Sequence, residues 1–151
     1  MPAIALRDEN GKPASPPSGP ALYGFFKTTC PTCRLAWPYL ERVSRLADGG
    51  SLSVLGVSQD DPPATARFYE GLGMSIPTLY DPEPWKASAR LGLESVPSFL
   101  LVSENGVLED FSAGFQRHKM EEYAGVAARL AGRPAPALFS PGEDVPAWKP
   151  G

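Results

Sequence analysis

Proline limits the possible folds of this chain more than any other residue, because its ring fixes one backbone angle and removes a hydrogen-bond donor. Of the 18 prolines in the 151 residues, five lie in residues 1–20 and five in residues 134–151. Helices and inner strands therefore belong mainly to the segment between these proline-rich ends. We predict one domain over residues 1–133, with an extended lead-in over residues 1–20, and a proline-rich C-terminal tail over residues 134–151.

Apolar runs and helical periods alternate along the central segment. Residues 21–26 and 52–57 are apolar enough for buried strands, and the residues between them follow the helical period. Two further helices are predicted over about 60–71 and 81–92, because each stretch begins with aspartate followed by proline. A short strand is expected over residues 78–80.

The remaining elements are a strand hairpin and a last helix. Strands over 98–102 and 107–111 flank Asn105-Gly106, a pair that favours a tight turn, and a helical period covers 117–131. Asn10-Gly11 predicts a second turn, within the lead-in. The order predicts an α/β domain that has a mixed central sheet with helices on both faces and an N-terminal hairpin-like extension.

Charge and hydropathy narrow the classes of partner. The net charge is only -3 and no basic stripe is present, which argues against nucleic acid. No run approaches the roughly 18 apolar residues that a membrane helix needs, so we expect no membrane partner. The first residues also lack a charged leader followed by an apolar stretch, and we therefore expect a cytoplasmic protein.

Cys30 and Cys33 are the two cysteines of the sequence, and they lie where a strand gives way to a helix. A helix start presents free N–H groups and the positive end of the dipole, which stabilise a thiolate at Cys30. Cys33 lies one turn further along, next to the apolar stripe, and is expected to be a shielded resolving thiol. Zinc is disfavoured, since the remaining chain offers His118 as its one further Cys or His ligand, and we predict neither metal nor cofactor.

Together these motifs resemble thioredoxin-fold proteins. They are the Cys30-Pro31-Thr32-Cys33 motif at a strand-to-helix junction, Pro38 five residues later, and Val96-Pro97 before a strand hairpin. The TlpA/ResA-like redoxins are the most similar branch, since Leu6 to Pro13 and Ile76 to Pro82 also resemble their lead-in and second-strand segments. The resemblance covers about residues 4–131.

The resemblance implies a thioredoxin-like fold and a thiol-disulfide oxidoreductase in which Cys30 attacks and Cys33 resolves. It also implies that Pro97 is a cis-proline beside the sulfurs. Val96, Pro97, Pro31 and Thr32 would contact the substrate, with Val96 offering backbone hydrogen bonds to an extended chain. The partners would be protein disulfides or dithiols and a further redox partner of unknown identity.

The sequence departs from the family pattern at two positions that matter for proton transfer. Gly24 stands where thioredoxin places a buried acid, and Ala36 stands where many ResA-like proteins have a glutamate. No local carboxylate is therefore evident as a base for Cys33. The order of Pro31 and Thr32, proline first, leaves the direction of electron flow open.

Two other functions compete with disulfide exchange. A peroxiredoxin-like peroxidase would need a threonine three residues before the reactive cysteine, and Lys27 stands there instead. A non-catalytic redox module or a copper carrier would use both thiolates without turnover. In the tail, Phe139 and Trp148 can equally dock on the domain or bind another molecule.

Overall fold

The computed structural model of the protein describes residues 1–134 and 137–151. Within these residues the chain forms nine strands and four helices. The strands are β1 (Leu6–Arg7), β2 (Pro13–Ala14), β3 (Ala21–Phe26), β4 (Ser53–Ser58), β5 (Thr78–Tyr80), β6 (Ser98–Val102), β7 (Leu108–Ala113), β8 (Phe115–Gln116) and β9 (Trp148–Lys149). The helices are α1 (Pro31–Leu46), α2 (Pro62–Leu72), α3 (Lys86–Arg90) and α4 (Arg117–Leu130).

A mixed sheet organises the described residues, and seven of their strands join it in the order β2-β1-β5-β4-β3-β6-β7. The central strand β3 is buried along its whole length, parallel to β4 and antiparallel to β6. The lead-in extends the sheet, because β1 pairs with β2 as a hairpin and with β5 on its other side. The predicted thioredoxin-like α/β architecture is confirmed, including the N-terminal hairpin.

Side chains of β3 alternate between two apolar cores. Leu22 and Phe26 join the core formed with α1 and α4, whereas Tyr23 and Phe25 join the core that contains Ala87 of α3. This alternation follows from the two-residue period of a strand. Helices therefore cover both faces of the sheet. Among the described residues, no helix has the length and apolar character that would let it span a membrane.

The predicted second helix is confirmed, and a single aspartate starts it. The Asp61 carboxylate accepts a hydrogen bond from the N–H of Ala64 at 2.8 Å, while Gly73, with φ of 65°, ends α2. Asp60, the first residue of the predicted range, does not cap the helix. Its carboxylate accepts the N–H of Thr28 at 2.7 Å, on the loop before Cys30.

The predicted third helix is wrong in its extent. Helix α3 covers only Lys86–Arg90, because Trp85 directly before it is left-handed, with φ of 57°. The Glu83-Pro84 peptide that precedes Trp85 is cis. The Asp81 carboxylate nevertheless caps α3 from a distance, accepting the N–H groups of Ala87 at 3.0 Å and Ser88 at 2.8 Å. The second hairpin strand also differs: β7 begins at Leu108 and extends to Ala113 rather than spanning 107–111.

The C-terminal tail docks on the domain. Leu138, Phe139 and Val145 are buried in the core shared with α1 and α4. Glu143 receives two hydrogen bonds from the Arg42 guanidinium, both at 3.1 Å. The two tail aromatics therefore differ, since Phe139 is 5% exposed and Trp148 is 60% exposed.

Candidate active site

Cys30 is the N-cap residue of α1, as the motif predicts. Its sulfur accepts a hydrogen bond from the N–H of Cys33 at 3.1 Å, and Pro31 occupies the first turn, where its missing N–H costs no hydrogen bond. The sulfur therefore lies at the positive end of the α1 dipole, where a backbone N–H of the first turn donates to it.

Cys33 is fully buried one turn inside α1. Burial raises the pKa of its thiol, and a hydrogen bond to Cys30 raises that pKa further. Both cysteines are free thiols in this structure, with Cys30 half-buried. The Cys30 sulfur is thus the more accessible of the two, and Cys33 lies behind it.

The position at which thioredoxin has a buried acid is crowded by neighbouring side chains. A Cβ on Gly24 would lie 2.9 Å from Leu40 Cδ2, 3.1 Å from Trp37 Cη2 and 3.3 Å from Phe99 Cε1. Trp37 is itself fully buried, with its ring 4.4 Å from that of Phe26. Aromatic packing therefore replaces the acid. No carboxylate in the described part of the chain forms a hydrogen bond with Cys33.

The loop at Val96-Pro97 lies against the reactive sulfur. The Val96-Pro97 peptide is cis, as predicted, and the Cys30 thiol donates to the Val96 carbonyl oxygen at 3.5 Å. The Pro97 carbonyl in turn accepts the N–H of Gly114 at 2.8 Å, which ties this loop to the turn after β7. Of the predicted residues, Val96 thus contacts Cys30 directly, and the cis peptide joins it to Pro97.

The other two predicted substrate-contact residues, Pro31 and Thr32, differ in their exposure. Pro31 is exposed at the start of α1, whereas Thr32 is only 3% exposed. The Thr32 hydroxyl donates to the Pro150 carbonyl oxygen of the tail at 2.7 Å. Substrate contact by Pro31 and Thr32 stays a prediction, and the structure adds that Thr32 already has a partner.

Three residues near the site escaped the sequence interpretation. Asp60 holds the loop before Cys30 through the N–H of Thr28, and the Lys27 ammonium lies 4.0 Å above the centre of the Trp85 ring. Lys27, Trp85 and Val96 line a cavity of about 320 Å³, together with Gln59 and Glu94. The run Pro82-Glu83-Pro84 before Trp85 was the available signal, because a residue that precedes a proline is biased away from helical angles.

Metal ligands are not gathered in this structure. Among residues 1–134 and 137–151, no group of three or more His, Cys, Asp or Glu side chains is placed to hold a metal ion.

Solved structures similar to this chain have the same fold. A secreted Mycobacterium tuberculosis disulfide oxidoreductase homologous to E. coli DsbE aligns at a TM-score of 0.66 and 21% identity, over 84% of this chain and 96% of that one. A putative thiol:disulfide interchange protein DsbE from Chlorobium tepidum aligns at a TM-score of 0.71 and 20% identity, over 84% of this chain and 93% of that one. StoA from Bacillus subtilis aligns at a TM-score of 0.65 and 15% identity, over 82% of this chain and 97% of that one.

Sequence comparison gives the family. No curated protein matches the chain. The model of the Redoxin family matches residues 1–126, which include the cysteine motif, the cis-proline loop and every strand of the main sheet. The match spans well over half of the sequence and agrees with the fold and the geometry at Cys30. The chain therefore belongs to the Redoxin family.

Proposed function

We propose that the protein is a thiol-disulfide oxidoreductase that exchanges disulfides with other proteins through a mixed disulfide at Cys30. The observation that carries this proposal is the unequal placement of two adjacent thiols. The Cys30 sulfur caps α1 and accepts the N–H of Cys33, while Cys33 is fully buried behind it. In such a pair, Cys30 can attack the substrate while Cys33 can reach only the mixed disulfide at Cys30 and resolve it.

The exchange proceeds in two balanced steps. In the reducing direction, the Cys30 thiolate attacks one sulfur of a substrate disulfide, the substrate S–S bond breaks, and one substrate thiolate leaves. Cys33 then loses its proton and attacks the Cys30 sulfur, so that the mixed disulfide breaks and the second substrate thiolate leaves. The substrate gains two electrons and the Cys30-Cys33 pair becomes a disulfide. The oxidising direction is the reverse of these steps.

Removal of the proton from Cys33 is the difficult part of the second step. Burial raises the pKa of that thiol, and the crowded position that holds the acid in thioredoxin is occupied by Gly24. The departing substrate thiolate, or water admitted with the substrate, is then the acceptor of the proton. We infer that resolution is slow relative to attack, so that the mixed disulfide accumulates during turnover.

Protein substrates fit the surroundings of Cys30 better than small disulfides do. The Val96 carbonyl oxygen beside the sulfur can accept a main-chain N–H from an extended segment, which is recognition by strand addition. A second dithiol or disulfide partner must restore the pair after each turnover. Its reduction potential sets the direction, and measuring the potential of Cys30-Cys33 against the range of roughly -270 to -120 mV distinguishes a reductant from an oxidant.

Single cysteine variants test the division of roles. Cys33→Ser should still attack and should accumulate a mixed disulfide with a protein substrate, detected by mass spectrometry. Cys30→Ser should lose exchange and leave a thiol that iodoacetamide modifies slowly in the native protein but fast in urea, because Cys33 is buried.

The matched comparison is between the two variants under identical conditions. Retained turnover in both variants would refute the proposal, as would faster alkylation of Cys33 than of Cys30 in the reduced wild type. If a mixed disulfide accumulates in Cys33→Ser, the proteins that dithiothreitol releases from it identify the substrate class directly.

A further inference from the structure

The last residues of the described chain run along the active site. Strand β9 pairs antiparallel with β8, placing Lys149 opposite Phe115 and Trp148 opposite Gln116. The N–H of Arg117 continues this ladder by donating to the Ala147 carbonyl at 2.9 Å. The two-stranded pair lies next to the cis-proline loop, because Gly114 before β8 donates to the Pro97 carbonyl.

Beyond β9 the chain touches both predicted substrate elements. The Pro150 carbonyl oxygen accepts from the Thr32 hydroxyl in the cysteine motif at 2.7 Å. The backbone at Gly151 packs on the other element, since a Cβ there would lie 2.0 Å from the Val96 carbonyl oxygen and 3.3 Å from the Pro97 nitrogen. That same carbonyl oxygen receives the Cys30 thiol.

These contacts are made almost entirely by the main chain. They use the β8–β9 ladder, the Pro150 carbonyl and the Gly151 backbone, while the Trp148 side chain stays 60% exposed. Gly114 allows the close approach, because a Cβ there would lie 2.7 Å from the Lys149 carbonyl oxygen. Main-chain pairing along a strand edge is how an extended protein segment of any sequence is held.

We propose that residues 148–151 occupy the path that an extended protein substrate takes through the active site, so that substrate and tail compete for it. This inference rests on the proposed function. It assigns the contact surface as the edge of β8, the Thr32 hydroxyl and the Val96 carbonyl. It also gives the kind of partner, an extended segment that presents main-chain groups.

The tail has two parts: an anchor, residues 138–145, that is packed on the domain, and a tip, residues 146–151, that can leave the domain while the anchor stays. Leu138, Phe139 and Val145 are buried, and Arg42 and Tyr39 both hydrogen-bond Glu143. Residues 146–151, in contrast, are exposed. A tip tethered by a short segment competes at an effective concentration of about millimolar. A substrate that binds weakly must therefore offer further contacts to displace it.

Removal of the tip is the first test. A variant that ends at Val145 keeps the buried anchor and loses the ladder and both active-site contacts. If the tip occupies the path in a half to nine-tenths of molecules, KM for a protein disulfide should fall about two- to tenfold. The rate with the small disulfide 5,5′-dithiobis(2-nitrobenzoate) should change little, since it needs no strand pairing. An unchanged or higher KM for the protein disulfide would overturn the inference.

A peptide added in trans provides the matched control. The synthetic hexapeptide of residues 146–151 should inhibit the shortened variant competitively against the protein disulfide, and the same peptide with Lys149→Pro should inhibit much less, because proline removes a main-chain N–H from the ladder with β8. Equal inhibition by the two peptides, or none by either, would count against a specific path. Absence of turnover with both disulfides in every variant would instead refute the proposed function, so the two failures are distinguishable.

The full-length chain gives a second test that needs no truncation. In the Cys33→Ser variant joined to a cysteine-containing peptide, the amide resonances of Trp148, Lys149 and Gly151 should move to positions typical of a free chain. The resonances of Leu138 and Val145 should stay in place, because the anchor does not contact the substrate. Unchanged resonances for residues 148–151 in the mixed disulfide would overturn the inference.

Discussion

Phe139 is the residue on which docking of the tail most depends, and Phe139→Ala measures that dependence. Its ring is 5% exposed and lies 4.7 Å from the Tyr39 ring and 6.4 Å from the Phe115 ring, centre to centre. The Arg117 guanidinium lies 4.6 Å from its face. Removing a buried phenylalanine costs about 3–5 kcal/mol in a rigid core.

The expected loss in the free energy of unfolding is at the low end of that range, about 3 kcal/mol. The reason is that the tail can move off the domain instead of leaving a cavity between Tyr39 and Phe115. Urea unfolding followed by circular dichroism gives both the free energy and its slope with urea. A smaller slope in the variant would report an undocked tail, because the slope scales with the surface exposed on unfolding.

Phe139→Leu is the matched control, since it keeps most of the apolar volume and should cost about 1.5 kcal/mol or less. A loss below about 1 kcal/mol in Phe139→Ala, with an unchanged slope, would refute the reasoning. It would mean that the Phe139 ring does not form part of the core in solution.

Two further predictions follow from the core and from the tail anchor. Gly24→Ala should destabilise the protein by about 1–3 kcal/mol in the same urea assay, because its Cβ would crowd Leu40 and Trp37; a neutral or stabilising effect would contradict the packing. The Arg42 guanidinium lowers the pKa of Glu143 from 4.5 to about 2, so its contribution to docking is complete above pH 4.5 and is lost as the pH falls toward 2. The protection of the Val145 amide from exchange, taken relative to the intrinsic rate at the same pH, should fall across that window, and Glu143→Gln should remove this pH dependence.

Local signals in the sequence predict much of the fold and the reactive pair. Asp61 before two prolines starts α2, and Cys30 before Pro31 starts α1, because free N–H groups at a helix start need nearby acceptors. The Val96-Pro97 cis peptide was also predicted, from its place before an inner strand and from the family resemblance. These features depend on a few neighbouring residues.

Features that depend on distant partners were not predictable from the sequence. The short α3 is capped by Asp81 across the cis Glu83-Pro84 peptide, and the pattern of aspartate and proline gave no sign of this bend. The tail is similar, because Phe139 is buried only where Tyr39 and Phe115 leave a matching site. Apolar residues in a proline-rich segment do not by themselves reveal whether the domain has a site that can bury them.

The buried Trp37 has an optical consequence. Residues four apart on a helix are neighbours, so its indole lies one turn beyond Cys33 on α1, packed against Phe26 and out of contact with solvent. A disulfide at Cys33 would quench an indole at that position, whereas the exposed Trp148 on the tail would respond to the solvent around it. Of the three tryptophans, Trp37 thus reports the redox state of the pair and Trp148 the position of the tail, while the half-buried Trp85 contributes a background that its replacement by phenylalanine would remove.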